Sequence, residues 1–300
     1  RVMDFNKELL NRVEYIEEII NKQLCDENDE KYLQREIFNA MNYSILAGGK
    51  RLRPMLLLEC LRLFGGDDKE ADKFMCAIEM IHTYSLVHDD LPAMDNDEYR
   101  RGKKTTHIVF GEGMGILAGD ALLNYAFETG IQGVKDSENT ANALMALDIL
   151  SRKAGVFGMI GGQVVDIKNE NRQIDIDTLD YINELKTGAL IEASMMMGAA
   201  LAGARENDIK LIEKAGSYIG KAFQIQDDIL DVTSTSEVLG KNVLSDEKNH
   251  KSTYVNLLGI DGASQKVKEL SEEALRIIDS FDNKNEFLTE LIESLIYRKK

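Results

Sequence analysis

The chain has 300 residues and a formal net charge of −16, with 36 Lys and Arg set against 52 Asp and Glu. That imbalance repels a phosphate backbone unless a basic face is concentrated, so no nucleic-acid partner is expected. Two prolines in the whole sequence argue against turn-rich sandwiches and barrels, while the length gives ample apolar material for a deep core.

Arg1 and Val2 are set aside as a remnant ahead of Met3, and residues 1–300 are read as one domain. Apolar residues recurring three and four apart predict helices over 4–24, 31–47, 52–64, 68–90, 112–134, 138–163, 177–202, 206–232, 263–281 and 285–298. Alternating runs of strand length are scarce, so the fold class is all-α, a helical bundle with short loops. Gly48-Gly49 and Gly65-Gly66 suit helix C-termini, and Ser137, Asp177 and Asp208 suit N-caps. Two segments resist the helical pattern: Tyr99 to Phe110, basic and Thr-rich, and Thr233 to Lys251, long enough for a lid. No apolar run of about eighteen residues and no signal peptide is present, so a membrane span is not expected. Cys25, Cys60 and Cys76 lack Cys-x-x-Cys spacing, which speaks against a disulfide framework or a zinc site and fits a reducing cytoplasm.

Two aspartate clusters dominate the chemistry. Asp89, Asp90 and Asp95 end one apolar stretch, and Asp227, Asp228 and Asp231 end another. The pair Asp67-Asp68 serves as a control: it follows Gly65-Gly66, opens a helical pattern, and reads as a turn and N-cap. Ionised carboxylates in an apolar setting either protonate or collect metal, and hard oxygen donors completed by water and phosphate suit Mg²⁺. At about 100° per residue, Asp227 and Asp231 share one helix face with Asp228 beside them, whereas Asp89 and Asp95 would lie roughly 240° apart on a continuous helix. Pro92 breaks that helix, so Asp95 is expected to return toward Asp89 only through the break.

In so acidic a chain the basic groups stand out: Lys50, Arg51 and Arg53; Arg100, Arg101, Lys103 and Lys104; Arg298, Lys299 and Lys300. With both aspartate clusters they supply metal-held and directly bound phosphate positions, as two phosphorylated substrates require. Gly48-Gly49-Lys50 is no P-loop, because the first glycine is misplaced and Arg51 stands where Ser or Thr holds Mg²⁺. No nucleophile emerges, and His82, His88, His107 and His250 show no zinc spacing. Metal-assisted ionisation and positioning remain.

The segments Gly48-Gly49-Lys50-Arg51-Leu52-Arg53-Pro54, His82 to Asp95, Arg100-Arg101-Gly102-Lys103, Gly161-Gly162-Gln163 with Asp166, Lys186 to Leu190, Phe223 to Asp231 and Leu239-Gly240-Lys241 together resemble the trans-prenyltransferases of the bacterial farnesyl diphosphate synthase type. The resemblance runs from about residue 30 to the C-terminus. It implies an isoprenoid-synthase-type bundle with a central cavity, usually a homodimer, condensing isopentenyl diphosphate with dimethylallyl or geranyl diphosphate. It implies three Mg²⁺ ions, two on Asp89 and Asp95 and one on Asp227, with Asp90, Asp228 and Asp231 in support. Arg100, Lys186, Gln224, Lys241 and Lys251 would face the allylic diphosphate, and Lys50, Arg53, His82 and Arg101 would hold isopentenyl diphosphate. The Thr187 carbonyl and the Gln224 side chain would stabilise the carbocation.

Tyr84 lies five residues before Asp89, about 7.5 Å deeper along the helix, and Ser85 lies one turn below Asp89. In the resembled family an aromatic here, with the Pro92-Ala93 insertion, marks synthases that stop at fifteen carbons. Lys104 departs from the proline common after Gly-Lys. The rivals are a geranyl or geranylgeranyl synthase and a non-catalytic subunit of a heteromeric synthase, although such subunits typically lose one aspartate cluster. A helical cation-binding scaffold accounts for the acidity but not for the basic residues beside each cluster.

Overall fold

A computed structural model describes residues 2–239 and 252–299. The chain divides into two compact units, Arg1–Leu58 with Asp67–Leu147, and Glu59–Gly66 with Asp148–Lys300.

The first unit holds α1 (Phe5–Gln23), α2 (Arg35–Ile45), the start of α3 (Leu52–Leu63), α4 (Asp72–Asp89), a hairpin of β1 (Tyr99–Arg100) and β2 (Lys103–Lys104), α5 (Thr106–Phe110), α6 (Glu112–Asp136) and the first part of α7 (Thr140–Ala154). Helix α4 is apolar on nearly every side, from Phe74 through Ile78 and Ile81 to Val87, and is accordingly buried all round. Helix α6 packs along it through small residues. A Cβ at Gly133 would lie 2.8 Å from the Phe74 ring, and one at Gly119 would lie 2.1 Å from His88 Nε2. These glycines let α4 place large side chains where a helix backbone passes.

The second unit contains the remainder of α3 and α7, then α8 (Met159–Lys168), α9 (Ile176–Asn183), a π-helical turn (Glu184–Gly188), α10 (Ala189–Leu201), α11 (Glu206–Leu239), α12 (Tyr254–Asp279) and α13 (Glu286–Ile296). All 13 residues of α10 are buried, which makes it the counterpart of α4. Helices α11 and α12 pack against each other, and α10 packs on α11.

Several expectations are corrected. The span 138–163 is two helices, because a Cβ at Gly158 would sit 1.9 Å from the Lys153 carbonyl oxygen, an approach only glycine permits. Helix α11 continues through Thr233 to Leu239, where loop was expected. Thr233 Oγ1 donates to the Ile229 carbonyl at 3.0 Å, so its hydroxyl is satisfied inside the helix rather than ending it. Residues 240–251 lie outside the described residues. Helix α12 begins at Tyr254, with a break at Gly259 (φ 72°), instead of at 263. The caps are Asp175 for α9 and Asn139 for α7, whose side chains accept from Thr178 and Asn142 amides; Asp177 and Asp208 lie in first turns, and Ser137 ends α6. Asp67 does cap its turn, accepting from the Lys69 amide at 3.0 Å.

Gly119→Ala is expected to lower unfolding free energy by about 1–3 kcal/mol by displacing His88. Gly113→Ala, on the same helix with nothing within 4 Å of its Cβ position, should raise it by up to about 1 kcal/mol. Denaturant midpoints of the two variants, moving in opposite directions, check this.

Candidate functional site

In the first unit, α4 ends at Asp89 and the chain turns back on itself. The Asp95 amide donates to the Asp89 carbonyl at 2.8 Å, and the Asp97 amide to the Asp90 carbonyl at 3.1 Å. The backbone at Pro92 therefore folds so that Asp95 sits beside Asp89. Asp90 is only 4% exposed and both of its oxygens are taken by Arg100, at 2.9 and 2.8 Å. Arg100 comes from the hairpin, whose loop residues Arg101 and Gly102 both have positive φ, 51° and 74°, as a two-residue turn matching strand twist requires.

Behind this loop lies a cavity of about 40 Å³ lined by Gly48, Arg51, Glu79, His82, Arg100 and Arg101, among others. Arg51 has a left-handed backbone (φ 52°), held by its guanidinium on Glu17 Oε1 and the Ile45 carbonyl, each at 2.7 Å. Arg53 Nη1 is 3.3 Å from His82 Nε2, and its Nε is enclosed with no hydrogen-bond partner. Arg101 Nη1 donates to the Gly48 carbonyl at 2.5 Å. A Cβ at Gly49 would meet that guanidinium at 2.9 Å, and Gly49 itself has φ 141°. Lys50 is exposed at the start of this group. Burial, and next the charge of Arg53, hold the His82 imidazole well below its ordinary 6.5. Burial pushes the Glu79 carboxyl up, against the pull of Arg51 and Arg53.

Tyr84 is buried and packs edge-on against the His88 ring, centroids 5.7 Å apart. His88 Nε2 donates to the Ile116 carbonyl at 2.9 Å, and Ser85 Oγ donates to the His82 carbonyl at 2.6 Å.

In the second unit, the π-helical turn carries Lys186 and Thr187. Such turns widen a helix locally and recur at functional sites. Helix α8 presses against this one: a Cβ at Gly162 would lie 2.4 Å from the Lys186 amide nitrogen. Lys186 Nζ pairs with Asp166 Oδ2 at 2.6 Å. On α11, Gln224 Nε2 donates to Asp228 Oδ1 at 3.2 Å, while Asp228 Oδ2 accepts from the Tyr254 amide at 2.9 Å and so fixes the start of α12. Asp227 and Asp231 lie one turn apart on the same helix, Asp231 exposed. Arg298 pairs with Asp227, lies 4.1 Å over the Phe223 ring, and receives a 3.2 Å hydrogen bond on its carbonyl from Gln226. Lys241 and Lys251 fall outside the described residues.

Among the described residues no three His, Cys, Asp or Glu side chains form a ready-made metal cage. The donor chemistry nevertheless fits Mg²⁺, which takes one or two carboxylates with water and substrate phosphate. In each Asp-Asp pair the second carboxylate is bound into the fold and the first is more exposed. Roles unforeseen from sequence are those of Glu79, Arg51 and Arg298. Glu79 is a charged residue among apolar ones on the buried helix α4, Arg51 is one of a basic cluster just ahead of α3, and Arg298 is one of three basic residues at the terminus; none of these patterns specifies a partner.

The polyprenyl synthetase family model matches residues 34–294. The farnesyl diphosphate synthase of Bacillus subtilis (strain 168) is 43% identical, over 93% of this chain and 94% of its own length. The geranylgeranyl diphosphate synthase of Cyanophora paradoxa is likewise 43% identical, over 92% and 90%. An FPP/GFPP synthase structure from Zymomonas mobilis superposes with a TM-score of 0.85 at 31% identity, covering 98% of this chain and 99% of that one.

His82 should stay neutral in the free protein. Unfolding releases an imidazole of ordinary pKa near 6.5, so the stability it contributes is full above that pH and is lost as pH falls through the lower folded value. Imidazole nitrogen NMR should show no His82 titration between about pH 6 and pH 8, and an upward pKa shift once pyrophosphate is added.

Proposed function

Because the chain belongs to the polyprenyl synthetase family, we propose that it is a farnesyl diphosphate synthase, joining isopentenyl diphosphate head-to-tail to dimethylallyl and then geranyl diphosphate. The observation that carries this reading is the set of guanidinium groups around His82, in a strongly acidic chain, beside an aspartate loop. A cationic pocket fits a diphosphate bound directly, and an acidic loop fits one bound through metal. A cyclase, needing one diphosphate, has no use for both.

Within this reading Lys50, Arg53, His82 and Arg101 hold isopentenyl diphosphate. Neutral His82 donates a hydrogen bond to it without a charge to desolvate. Asp89, Asp95, Asp227 and Asp231 would hold Mg²⁺; Asp90 and Asp228 hold the loop and helix that present them. Mg²⁺ held there, three ions by the family resemblance, would neutralise the diphosphate that departs from the allylic carbon. Lys186, oriented by Asp166, donates to the same diphosphate, alongside Arg100, Lys241 and Lys251. Because the Gln224 amide nitrogen is anchored on Asp228, its Oε1 is the end available to the carbocation, together with the Thr187 carbonyl. The isopentenyl double bond attacks that cation, and the released diphosphate removes the proton.

Overall identity does not separate product lengths, since a farnesyl and a geranylgeranyl synthase match equally well. Tyr84 and Ser85 decide it in this reading, because the phenol lies deeper on α4 than Asp89 and is locked against His88. The chain acts as one polyprenyl-synthase domain, supported by a family match that runs through both units. A homodimer is supported by apolar side chains exposed in the second unit: Phe157, 86% exposed, Val156, and the α8 stripe of Ile160, Val164 and Ile167. No helix among the described residues is long and apolar enough to cross a membrane. Cys25, Cys60 and Cys76 are free, which supports a cytoplasmic site of action.

Incubation with dimethylallyl and isopentenyl diphosphates should give a C15 chain only when Mg²⁺ is present, and Tyr84→Ala should extend the product to C20 or beyond. Chromatography of the dephosphorylated alcohols checks both; an unchanged C15 product from the variant removes Tyr84 as the floor.

A further inference from the structure

Against the π-helical turn lies a group of charges that the condensation does not use. Glu192 on α10 is 4% exposed, and its Oε1 lies 3.0 Å from Lys153 Nζ, which also reaches Glu213 Oε2 at 2.8 Å. Glu184, the first residue of the turn, accepts from Ser217 Oγ, which lies 3.0 and 2.8 Å from its two oxygens. The two carboxyl groups meet at Gly188. The position a Cβ would occupy there is 3.4 Å from Glu192 Oε2 and 4.0 Å from Glu184 Oε2. Helix α11 closes in on the same place: a Cβ at Gly216 would lie 2.9 Å from Glu192 Cα, and one at Gly220 would lie 3.0 Å from Gly188 Cα.

The one ammonium, Lys153, is shared between buried Glu192 and the partly exposed Glu213, while Glu184 faces Glu192 across Gly188, so an ionised Glu192 would be poorly compensated in a buried place, which costs too much to keep. One proton relieves it, and Glu192 is the group that keeps it. Burial, and next the negative charge of Glu184, push the Glu192 carboxyl up to about 8. The charged groups facing Glu192 are Lys153 from α7, Glu184 from the turn and Glu213 from α11.

We propose that Glu192, as a neutral carboxylic acid, is a positioning residue that clamps the turn Glu184–Gly188 and so fixes Lys186 and the Thr187 carbonyl. The inference rests on the roles given above to those two residues. A neutral Glu192 accepts from Lys153 and donates toward Glu184, tying α10 to the turn. Once ionised, it repels Glu184 across Gly188 and the turn loosens. The sign follows: the proton's contribution is complete below the ordinary carboxyl value of 4.5 and is lost as pH rises through about 8.

Hydrogen exchange of the intact chain, read on peptides spanning 183–190 and corrected for intrinsic rates, tests the clamp. Wild type should be protected near pH 6.5 and lose about tenfold of that protection near pH 9. Glu192→Gln, a permanent neutral donor, should stay protected at both pH values. Glu192→Ala should be unprotected at both, with kcat lowered and the KM for isopentenyl diphosphate unchanged. If Glu192→Ala does not fold, Glu184→Gln replaces it: relief of the repulsion should keep the turn protected near pH 9. Equal protection in wild type and Glu192→Ala, Glu192→Gln behaving like Glu192→Ala, or a pH-dependent loss surviving in Glu184→Gln overturns the clamp. A wild type that shows the expected protection but turns over neither diphosphate contradicts the proposed function and leaves the clamp standing.

Discussion

Positive charge crowded around the His82 imidazole is the constraint on which the first unit's chemistry depends. Arg51, His82, Arg100 and Arg101 line one small cavity, and Arg53 approaches His82 at 3.3 Å, in a chain whose overall charge is −16. Arg51 is matched by Glu17, but the Arg53 Nε has no partner. Glu79 offsets the cluster incompletely, since burial works against its ionisation. A guanidinium does not relieve itself by losing a proton. The strain falls instead on His82, which is kept neutral, and in the proposed function a bound anion completes the balance. A diphosphate brings that charge with several acceptor oxygens, which suits the forked donors of arginine.

The same economy governs the aspartate pairs. Two adjacent carboxylates cannot both face one ligand from a helix end without mutual repulsion, and here they divide their tasks. Asp90 is neutralised by a bidentate arginine from the hairpin, and Asp228 accepts one amide from Gln224 and one from the backbone that begins α12. Each anchored carboxylate therefore orients the segment that carries its more exposed neighbour. Glu192 and Glu184 extend the pattern to a pair that manages its charge by keeping a proton.

Much of this was legible in the sequence because it follows from periodicity. The apolar spacing around Ile78 and Ile81 gives α4, and the proline at 92 gives the break that brings Asp95 back. What escaped depends on contacts distant in sequence. Gly158 splits a helical pattern because of how near it comes to the Lys153 carbonyl, a distance no periodicity records. The segment from Thr233 reads as loop because it mixes Ser, Thr, Gly, Lys and Asp, yet the Thr233 hydroxyl reaches the carbonyl one turn back inside a helix. The π-helical turn is invisible for a related reason: it lies where Gly162 packs closely on Lys186, a contact distant in sequence. Among the site residues, those with motif spacing were identifiable as a set, whereas Glu79 and Arg298 gain meaning only from the groups they touch in space.

Calorimetric titration of isopentenyl diphosphate into the protein with all divalent metal chelated isolates the charge balance from every other part of the chemistry. The account predicts saturable binding that is lost in Arg53→Met while the fold is retained. An absence of binding by wild type under these conditions, with binding restored by Mg²⁺, would contradict it.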